Sequence, residues 1–216
     1  MIVFDFFSGT GSSTQAFKDA GHTVISFELD DFFEATEHVN VFSLNAKDLI
    51  AKYGQPDFVW ASPPCTAFSV ASMGHHWGGG LKAYEPKTEA AKVSQELVVH
   101  TRDLIAELNP TKGWLIENPR GMLRKLPAVA GLPRHTVSYC TYGDTRMKPT
   151  DLWGVVPGWT PREMCKNGMP CHEAAPRGAK TGTQGLNGAR ERSRVPYELS
   201  KELLSVLESA NPHRKE

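Results

Sequence analysis

The sequence predicts an α/β fold in which a mostly parallel sheet carries helices on both faces. Short apolar segments of strand length alternate along the chain with longer segments whose apolar residues recur every three or four positions. This alternation is typical of βα units, which pair parallel strands. The predicted strands are residues 2–7, 22–28, 57–61, 114–116 and 136–140, and the predicted helices are residues 14–20, 89–108 and 196–207.

Each predicted element rests on a local signal. The first strand is an apolar run that ends in a Gly/Ser/Thr turn at residues 8–13, and the helix that follows stops at Gly21. In the segment 89–108 the apolar residues share one helical face, and an Asn-Pro pair ends it. Residues 155–194 are rich in Gly, Pro, Arg and Lys and lack periodicity, which predicts a small irregular insert before helical spacing returns.

Length and composition bound the possible classes of protein. The chain has 216 residues, enough for one substantial domain with a small insert, and its apolar runs are too short to span a membrane. Four unevenly spaced cysteines do not predict a disulfide scaffold, which indicates a reducing compartment. Residues 1–119 carry 8 Lys/Arg and 15 Asp/Glu, a balance of −7, whereas residues 120–194 carry 13 and 5, a balance of +8. This asymmetry favours a surface that faces a polyanion, with a solvated basic face as the alternative.

A glycine turn and two acidic residues indicate a nucleoside-bearing ligand. Gly9 and Gly11 allow the backbone to approach a ligand at the carboxyl edge of the sheet. Glu28 ends the second strand, where a carboxylate can accept both ribose hydroxyls. Asp48, expected after the next short strand, can accept from an adenine amino group. A ligand-free turn with two surface acids remains the alternative, and the pattern does not separate NAD from S-adenosylmethionine.

A cysteine and a glutamate indicate covalent chemistry at the same edge. Cys65 follows the strand 57–61 and two prolines, which stiffen the backbone and fix the direction of the side chain. Most lone cysteines are small buried hydrophobes, but one that faces a cofactor site is a candidate nucleophile. Glu117 ends the strand 114–116 and can protonate a ring that the thiolate attacks. Its alternative role is to order the Asn-Pro-Arg turn that follows.

Five segments together resemble the DNA cytosine-5 methyltransferase family. They are residues 7–11 (Phe-Ser-Gly-Thr-Gly), 62–69 (Ser-Pro-Pro-Cys-Thr-Ala-Phe-Ser), 117–119 (Glu-Asn-Pro), 146–148 (Arg-Met-Lys) and 193–196 (Ser-Arg-Val-Pro). Their order and spacing follow the family across residues 3–153 and 193–207. The chain departs from the family pattern by Pro for Val after Glu-Asn, Lys for the second Arg, Leu29 in place of a frequent Trp, and a last motif without Gly-Asn-Ser.

The resemblance implies a Rossmann-like S-adenosylmethionine-dependent methyltransferase fold and methyl transfer to carbon 5 of cytosine. Cys65 is implied to attack carbon 6, Glu117 to hold and protonate ring nitrogen 3, and Arg146 to support the base or nearby backbone. A base inside a duplex must flip out to reach the thiol. The expected contacts with S-adenosylmethionine come from Phe7, Gly9, Gly11, Glu28, Leu29, Asp48 and Pro63, and those with nucleic acid from Ser69, His76, Trp77, Lys148, Arg177 and Lys180.

The resemblance also implies a domain organisation and a partner. Residues 1–154, completed by residues 193–210, are expected to form the catalytic and cofactor-binding domain, and residues 155–192 a reduced target-recognition insert. So short an insert is similar to that of phage-type members and predicts a loosely defined target of about two to four base pairs. We expect a monomer that acts on double-stranded DNA, binds no membrane and works in the cytoplasm of a bacterial or phage-infected cell.

Two further segments have open interpretations. The glycine-rich residues 74–80 predict a mobile loop that closes over the bound base, with a disordered spacer as the alternative. Cys165, Cys171 and His172 could hold zinc if Cys140 or His135 supplied a fourth ligand. An ordered loop with free thiols is the commoner arrangement, and the sequence assigns no metal.

Two other functions compete with the first. The same chemistry could act on RNA or a free cytosine nucleotide, or the chain could be a catalytically silent nucleic-acid-binding module. The intact Cys65 and Glu117 argue against a silent module. The +8 segment argues against a free nucleotide as substrate.

Overall fold

The computed structural model describes residues 1–166, 168–173 and 188–209 and contains one seven-stranded sheet. The strand order is β3-β2-β1-β4-β5-β7-β6. All pairs are parallel except β5–β7 and β6–β7, which confirms the predicted mostly parallel sheet. The strands are β1 (Ile2–Phe6), β2 (Thr23–Glu28), β3 (Glu37–His38), β4 (Phe58–Ala61), β5 (Gly113–Pro119), β6 (Arg134–Ser138) and β7 (Pro149–Val155).

Helices cover both faces of the sheet, as predicted. The described helices are α1 (Gln15–Asp19), α2 (Ala46–Tyr53), α3 (Met73–His76), α4 (Glu89–Leu108), α5 (Ala189–Ser193) and α6 (Tyr197–Ser209). Helices α2 and α4 pack with Phe4 and Phe6 of β1 in one core, and α1 and α6 pack with Val3 on the other face. Neighbouring β1 residues point to opposite faces, so each core receives alternate side chains of the same strand.

Helix α4 has the length predicted from its periodicity because both ends carry stop signals. The Thr88 side chain accepts a hydrogen bond from the Ala91 N–H at the first turn. At the other end Asn109 adopts φ 45°, a left-handed conformation that ends helices, and proline follows it. The buried face includes Val98, Leu104 and Leu108.

Strand β7 was not predicted. It runs antiparallel between β5 and β6, and its interior contains Gly154 at φ 137°. A Cβ at this position would collide with the Trp114 backbone of β5, so only glycine fits there. A glycine within a strand weakens the apolar pattern by which strands are predicted. Strand β7 ends at Val155, where the predicted insert begins. The Trp159 side chain donates to Glu202 of α6 at 3.0 Å, so the first residues of the insert pack against α6.

A buried ion pair fastens β7 to the turn after β5. Asp151 is fully buried, and the Arg124 guanidinium contacts both of its oxygens, with Nε at 2.9 Å and Nη2 at 2.5 Å. Thr136 of β6 donates to the same carboxylate at 2.7 Å. A bidentate pair with an added hydroxyl donor satisfies the buried charge, so β6, β7 and residues 122–125 are held as one unit.

The chain connections run to opposite sides of the sheet from the boundary between the parallel strands β1 and β4. The loops that follow these two strands therefore lie side by side. In open α/β sheets ligands bind outside the carboxyl ends of the strands at this switch point. The turn at residues 7–13 follows β1, Cys65 follows β4, and Glu117 lies near the end of β5. The described residues contain no helix with the length and apolar character needed to cross a membrane.

Asp5 predicts a measurable pH dependence of stability. Burial raises its pKa from 3.8 to about 6, although hydrogen bonds from Thr14 Oγ1 (2.7 Å) and Ser13 Oγ (2.9 Å) oppose the shift. The native state therefore holds this proton more tightly than the unfolded chain does. The resulting stability is complete below about pH 4 and is lost as the pH rises through about 6, a loss of about 3 kcal/mol.

We expect Asp5→Asn to remove this contribution to the pH dependence, because asparagine does not ionise. Urea unfolding of both proteins between about pH 4 and pH 7 gives the comparison. The wild-type free energy of unfolding should fall relative to that of the variant as the pH rises. Parallel pH profiles would show that Asp5 titrates alike in the folded and unfolded states.

Candidate active site

The turn after β1 has the geometry of a ligand-binding loop. Phe7, Gly9 and Gly11 all adopt positive φ values of 60°, 47° and 68°. A bulky residue in this region is strained, and such strain is concentrated at functional sites. A Cβ at Gly9 would meet no atom within 4 Å, so open space lies beside the turn.

Glu28 lies directly against this turn. Its Oε2 accepts a hydrogen bond from the Gly9 N–H at 2.8 Å, and its Oε1 accepts from the N–H groups of Leu29 (2.8 Å) and Asp30 (3.1 Å). These bonds aim the carboxylate across the carboxyl edge of the sheet, and Oε2, which accepts only one of them, retains acceptor capacity. Leu29 is 65% exposed beside it. The structure thus brings together Gly9, Glu28 and Leu29 of the predicted cofactor site.

Asp48 differs from the sequence expectation in its setting. It lies in the first turn of α2 and not at the end of a strand, because Asn45 begins a helix there. Asn45 accepts from the Asp48 N–H (2.9 Å) and donates to its carboxylate (2.7 Å), which makes a reciprocal helix cap. The carboxylate is exposed, so a role toward adenine stays a prediction.

The segment 191–198 packs beside the glycine turn. The Val195 N–H donates to Ser12 Oγ at 3.0 Å. A cavity of about 560 Å³ lies between the turn and this segment, and its lining includes Thr10, Ser12, Asp144, Arg146, Arg194 and Tyr197.

The loop that carries Cys65 is tied to β5. Buried Asn118 donates from Nδ2 to the Pro63 carbonyl at 2.8 Å, so the residue after Glu117 holds the Pro-Pro turn in place. The Cys65 carbonyl accepts from the N–H groups of Phe68 (2.9 Å) and Ser69 (3.0 Å), which starts a helical turn directly after the thiol. The half-buried Cys65 is therefore fixed from both sides.

Glu117 is 6% exposed and is oriented by a tyrosine. The Tyr139 hydroxyl donates to Glu117 Oε1 at 3.0 Å. Burial, together with the charge of Glu117, raises the pKa of Tyr139 well above its usual range, so the phenol remains a donor. Oε2 of Glu117 has no hydrogen-bond partner among the described residues, which leaves one carboxylate oxygen available to a ligand.

Lys148 supplies a positive charge near both groups. Burial and the charge of Glu117 raise the pKa of the Cys65 thiol, and the Lys148 ammonium opposes that rise. Burial lowers the pKa of Lys148 itself, which the charge of Glu117 partly offsets. The ammonium lies 4.6 Å from the centre of the Tyr139 ring and donates to the Arg192 carbonyl at 3.0 Å. The structure thus places Lys148 near Cys65 and Glu117, and its expected contact with nucleic acid stays a prediction.

Arg146 is buried and paired. Its Nε contacts both carboxylate oxygens of Asp144 (2.8 and 3.0 Å), and Nη1 donates to the Glu191 carbonyl at 2.9 Å. These bonds tie the turn at residues 144–146 to α5. The expected support of the base by Arg146 stays a prediction, because its contacts in the described part of the chain are with Asp144 and the Glu191 carbonyl of α5.

Trp77 is buried, although a mobile loop was expected over residues 74–80. Its side chain is 3% exposed, its ring stacks 6.0 Å from that of Phe68, and its Nε1 donates to the Ala67 carbonyl at 2.7 Å. A contact between this ring and nucleic acid is therefore wrong for this conformation. Burial of this large aromatic ring contributes to the free energy that orders the adjacent residues. Trp77 pairs with Pro86 in a β-bridge, which closes a loop whose residues 79–85 are exposed.

The other predicted nucleic-acid contacts fall into two groups. His76 Nδ1 lies 2.7 Å from Thr88 Oγ1 at the start of α4, and Ser69 Oγ lies 2.8 Å from Ser72 Oγ, so both have local structural partners. Arg177 and Lys180 lie outside the described residues.

Asn118 and Tyr139 were missed as site residues by sequence reasoning. Asn118 was visible as the middle of a Glu-Asn-Pro motif, and its neighbour Glu117 could have drawn attention to it. Tyr139 carried no comparable signal, because the hydrogen bond to Glu117 joins residues 22 positions apart.

The sheet order, the turn after β1 and the position of Cys65 and Glu117 at the carboxyl edge of the sheet are those of a Rossmann-like methyltransferase. The sequence matches the family described as "C-5 cytosine-specific DNA methylase" over residues 1–127. A protein of Frog virus 3 (isolate Goorha), named "Probable DNA (cytosine-5)-methyltransferase", is 30% identical over an alignment of 221 positions that covers 95% of this chain and 100% of that protein. The chain belongs to the C-5 cytosine-specific DNA methylase family, as the sequence motifs predicted.

Solved structures are more distantly similar. The S. pombe Dnmt2 methyltransferase is 14% identical with a TM-score of 0.45, over 74% of this chain and 50% of that one. A Spodoptera frugiperda DNMT2 mutant is 15% identical with a TM-score of 0.45, over 78% and 57%. This chain thus spans little more than half the length of these solved proteins.

Proposed function

We propose that this DNA (cytosine-5)-methyltransferase transfers the methyl group of S-adenosylmethionine through a covalent bond between Cys65 and cytosine. The observation that carries the proposal is the Asn118–Pro63 hydrogen bond of 2.8 Å, which holds the Cys65 loop against the strand that bears Glu117. A thiol and a carboxyl group fixed in this way can act on one ring at the same time.

The turn after β1 suits the nucleoside part of S-adenosylmethionine. Gly9 faces open space, the Glu28 carboxylate is aimed by the Gly9 N–H, and exposed Leu29 offers an apolar surface. Glu28 would accept the ribose hydroxyls, and Phe7, Gly11, Pro63 and Asp48 would complete the surroundings. When bound, S-adenosylmethionine supplies an electrophilic methyl group.

The protein's own groups activate the cytosine. The Cys65 thiolate bonds to carbon 6, the electrons of the 5,6 double bond move to carbon 5, and Glu117 protonates nitrogen 3 so that the ring does not accumulate charge. Lys148 favours the thiolate that this attack needs. After carbon 5 has been methylated, it loses its proton to solvent and nitrogen 3 returns its proton to Glu117. The electrons of the broken carbon–hydrogen bond restore the 5,6 double bond, and the bond between sulfur and carbon 6 breaks with its electrons remaining on the Cys65 thiolate.

The finer features of the substrate follow from this chemistry and from charge. Attack at carbon 6 requires a flipped cytosine when the substrate is duplex DNA. The basic segment 120–194 would contact phosphates without reading bases, which favours a short target, and Arg177 and Lys180 are its expected contributors. Action as a monomer and a cytoplasmic setting remain predictions.

A methyl-transfer assay that compares four substrates tests the proposal. Tritiated S-adenosylmethionine is supplied with duplex DNA, single-stranded DNA, tRNA or dCMP, and the product base is identified after digestion. We expect label in 5-methylcytosine from duplex DNA. Label confined to tRNA or dCMP would reassign the substrate, and no label in any pool would favour a silent binding module.

Loss of the Glu28 carboxylate should weaken cofactor binding. Glu28→Ala removes the acceptor of two hydroxyl groups, so the dissociation constant for S-adenosylmethionine should rise about ten- to hundredfold. Titration calorimetry measures the change. Glu34→Gln, which neutralises an exposed carboxylate between β2 and β3, is the matched control and should bind normally. Equal affinity of Glu28→Ala and wild type would place the ribose elsewhere.

A further inference from the structure

Three cysteines and one histidine meet at a point outside the proposed catalytic site. Cys140 lies in the turn after β6, whereas Cys165, Cys171 and His172 come from the segment beyond β7. Cys165 Sγ lies 3.2 Å from Cys171 Sγ and 3.3 Å from His172 Nδ1, and Cys171 Sγ lies 3.6 Å from Cys140 Sγ. All four potential ligand atoms lie within 4.8 Å of one another.

These distances lie near those around a tetrahedral ion and far from that of a disulfide, although the two contacts of Cys165 Sγ, at 3.2 and 3.3 Å, are shorter than an ideal zinc site requires. Zn–S bonds of about 2.3 Å and Zn–N bonds of about 2.0–2.1 Å place tetrahedral ligand atoms about 3.5–3.8 Å apart. A disulfide needs sulfur atoms about 2.05 Å apart, and all four cysteines of the chain are free. Three thiols beside one imidazole nitrogen also have the soft ligand chemistry that zinc prefers.

We propose that Cys140, Cys165, Cys171 and His172 bind one structural zinc ion. Four protein ligands complete the tetrahedron and leave no open position for water or substrate, which is the pattern of structural and not catalytic zinc. The sequence left the choice between Cys140 and His135 open and assigned no metal. The structure favours Cys140, because the His135 ring packs at 5.3 Å against that of Trp159.

The surroundings of the cluster are ordered as a metal site requires. Cys140 and Cys165 are 5% and 4% exposed, and the Cys165 N–H donates to Ser138 Oγ at 3.1 Å. This bond fixes the chain at Cys165 relative to the end of β6. Beyond His172, the Glu173 N–H donates to the Thr145 carbonyl at 2.9 Å. Both ends of the segment 165–173 are thus attached to residues 138–145.

Zinc at this point would stabilise the wall of the proposed active site. Cys140 directly follows Tyr139, whose hydroxyl orients Glu117, and Thr145 precedes Arg146. The ion would therefore attach the ligand-bearing part of the predicted insert to the segment 139–146, which carries both Tyr139 and Arg146. This consequence rests on the proposed function, whereas zinc binding itself does not.

Metal analysis of the full-length protein tests the site directly. Protein purified from zinc-supplemented medium should contain about one zinc per chain, and protein loaded with Co²⁺ should show the absorption of a tetrahedral thiolate complex. Cys171→Ser and His172→Ala should each lose most of the zinc. Cys65→Ser, which removes the one cysteine outside the cluster, and His135→Ala should keep it.

Measurements on the wild type keep the test decisive if a variant fails to fold. A strong chelator should lower the melting temperature of wild-type protein, and added zinc should restore it, because the ion binds the native state. Substoichiometric zinc together with no cobalt spectrum would overturn the proposal. So would a disulfide among the three thiols found by mass spectrometry, or full zinc content in both Cys171→Ser and His172→Ala.

Discussion

Cys65→Ala is expected to abolish methyl transfer while S-adenosylmethionine still binds normally. The thiol is the group proposed to attack carbon 6, and no other cysteine lies in its loop. Removing the nucleophile of a covalent mechanism lowers turnover by about 10⁴- to 10⁶-fold. Cofactor binding uses the turn after β1, so calorimetry with the variant should give an unchanged dissociation constant and show that the fold is intact.

A mechanism-based trap sharpens this prediction. In duplex DNA that contains 5-fluorocytosine, fluorine replaces the proton that must leave carbon 5, so the bond between sulfur and carbon 6 cannot be broken. Wild-type protein should form a denaturation-resistant complex with this DNA, and peptide mapping should place the adduct on Cys65. The same duplex with ordinary cytosine is the control. Turnover by Cys65→Ala, or an adduct on another residue, would refute the covalent role of Cys65.

Glu117→Gln is expected to reduce turnover by about 10²- to 10⁴-fold, the usual contribution of a positioned general acid. Glutamine has the shape of glutamate and keeps an oxygen that can accept from Tyr139, so the local packing should survive. It cannot donate a proton in the way that a carboxylic acid does. Single-turnover methylation at saturating cofactor and DNA measures the loss, and the dissociation constant for S-adenosylmethionine should not change.

Tyr139→Phe separates orientation from proton transfer. Phenylalanine keeps the buried ring and removes only the hydroxyl that donates to Glu117. Because Tyr139 is a positioning residue, its substitution should reduce turnover less than Glu117→Gln does. A Glu117→Gln variant with wild-type turnover would show that the carboxyl group does not act as the acid.

The local sequence determined those parts of the site whose chemistry lies within a few adjacent residues. The turn after β1 is encoded by glycines that tolerate positive φ, and the Cys65 loop by two prolines that restrict the backbone. The length of α4 follows from its periodic apolar face and its two end signals. The structure agrees with the sequence-based prediction for these features, because each depends on backbone preferences or on neighbouring residues within one element.

The tertiary structure decided everything that depends on residues distant in sequence. Lys148 lies close enough to Cys65 and Glu117 for its charge to act on both only because β7, which begins at the next residue, inserts next to β5. The same arrangement places its ammonium over the Tyr139 ring. Trp77 became a core residue because its ring packs against Phe68 and its Nε1 donates to the Ala67 carbonyl, contacts that the glycine-rich local sequence does not reveal.

The choice of Cys140 over His135 as the partner of Cys165, Cys171 and His172 shows the same division. Sequence spacing placed three metal-binding side chains close together, since the segment that holds them is short. The fourth could be found only from the path of the chain after β6, which carries the Cys140 thiol to the cluster while the His135 ring packs against Trp159. Local propensity acts through bonds and near neighbours, whereas a site built across strands depends on how the sheet brings them together.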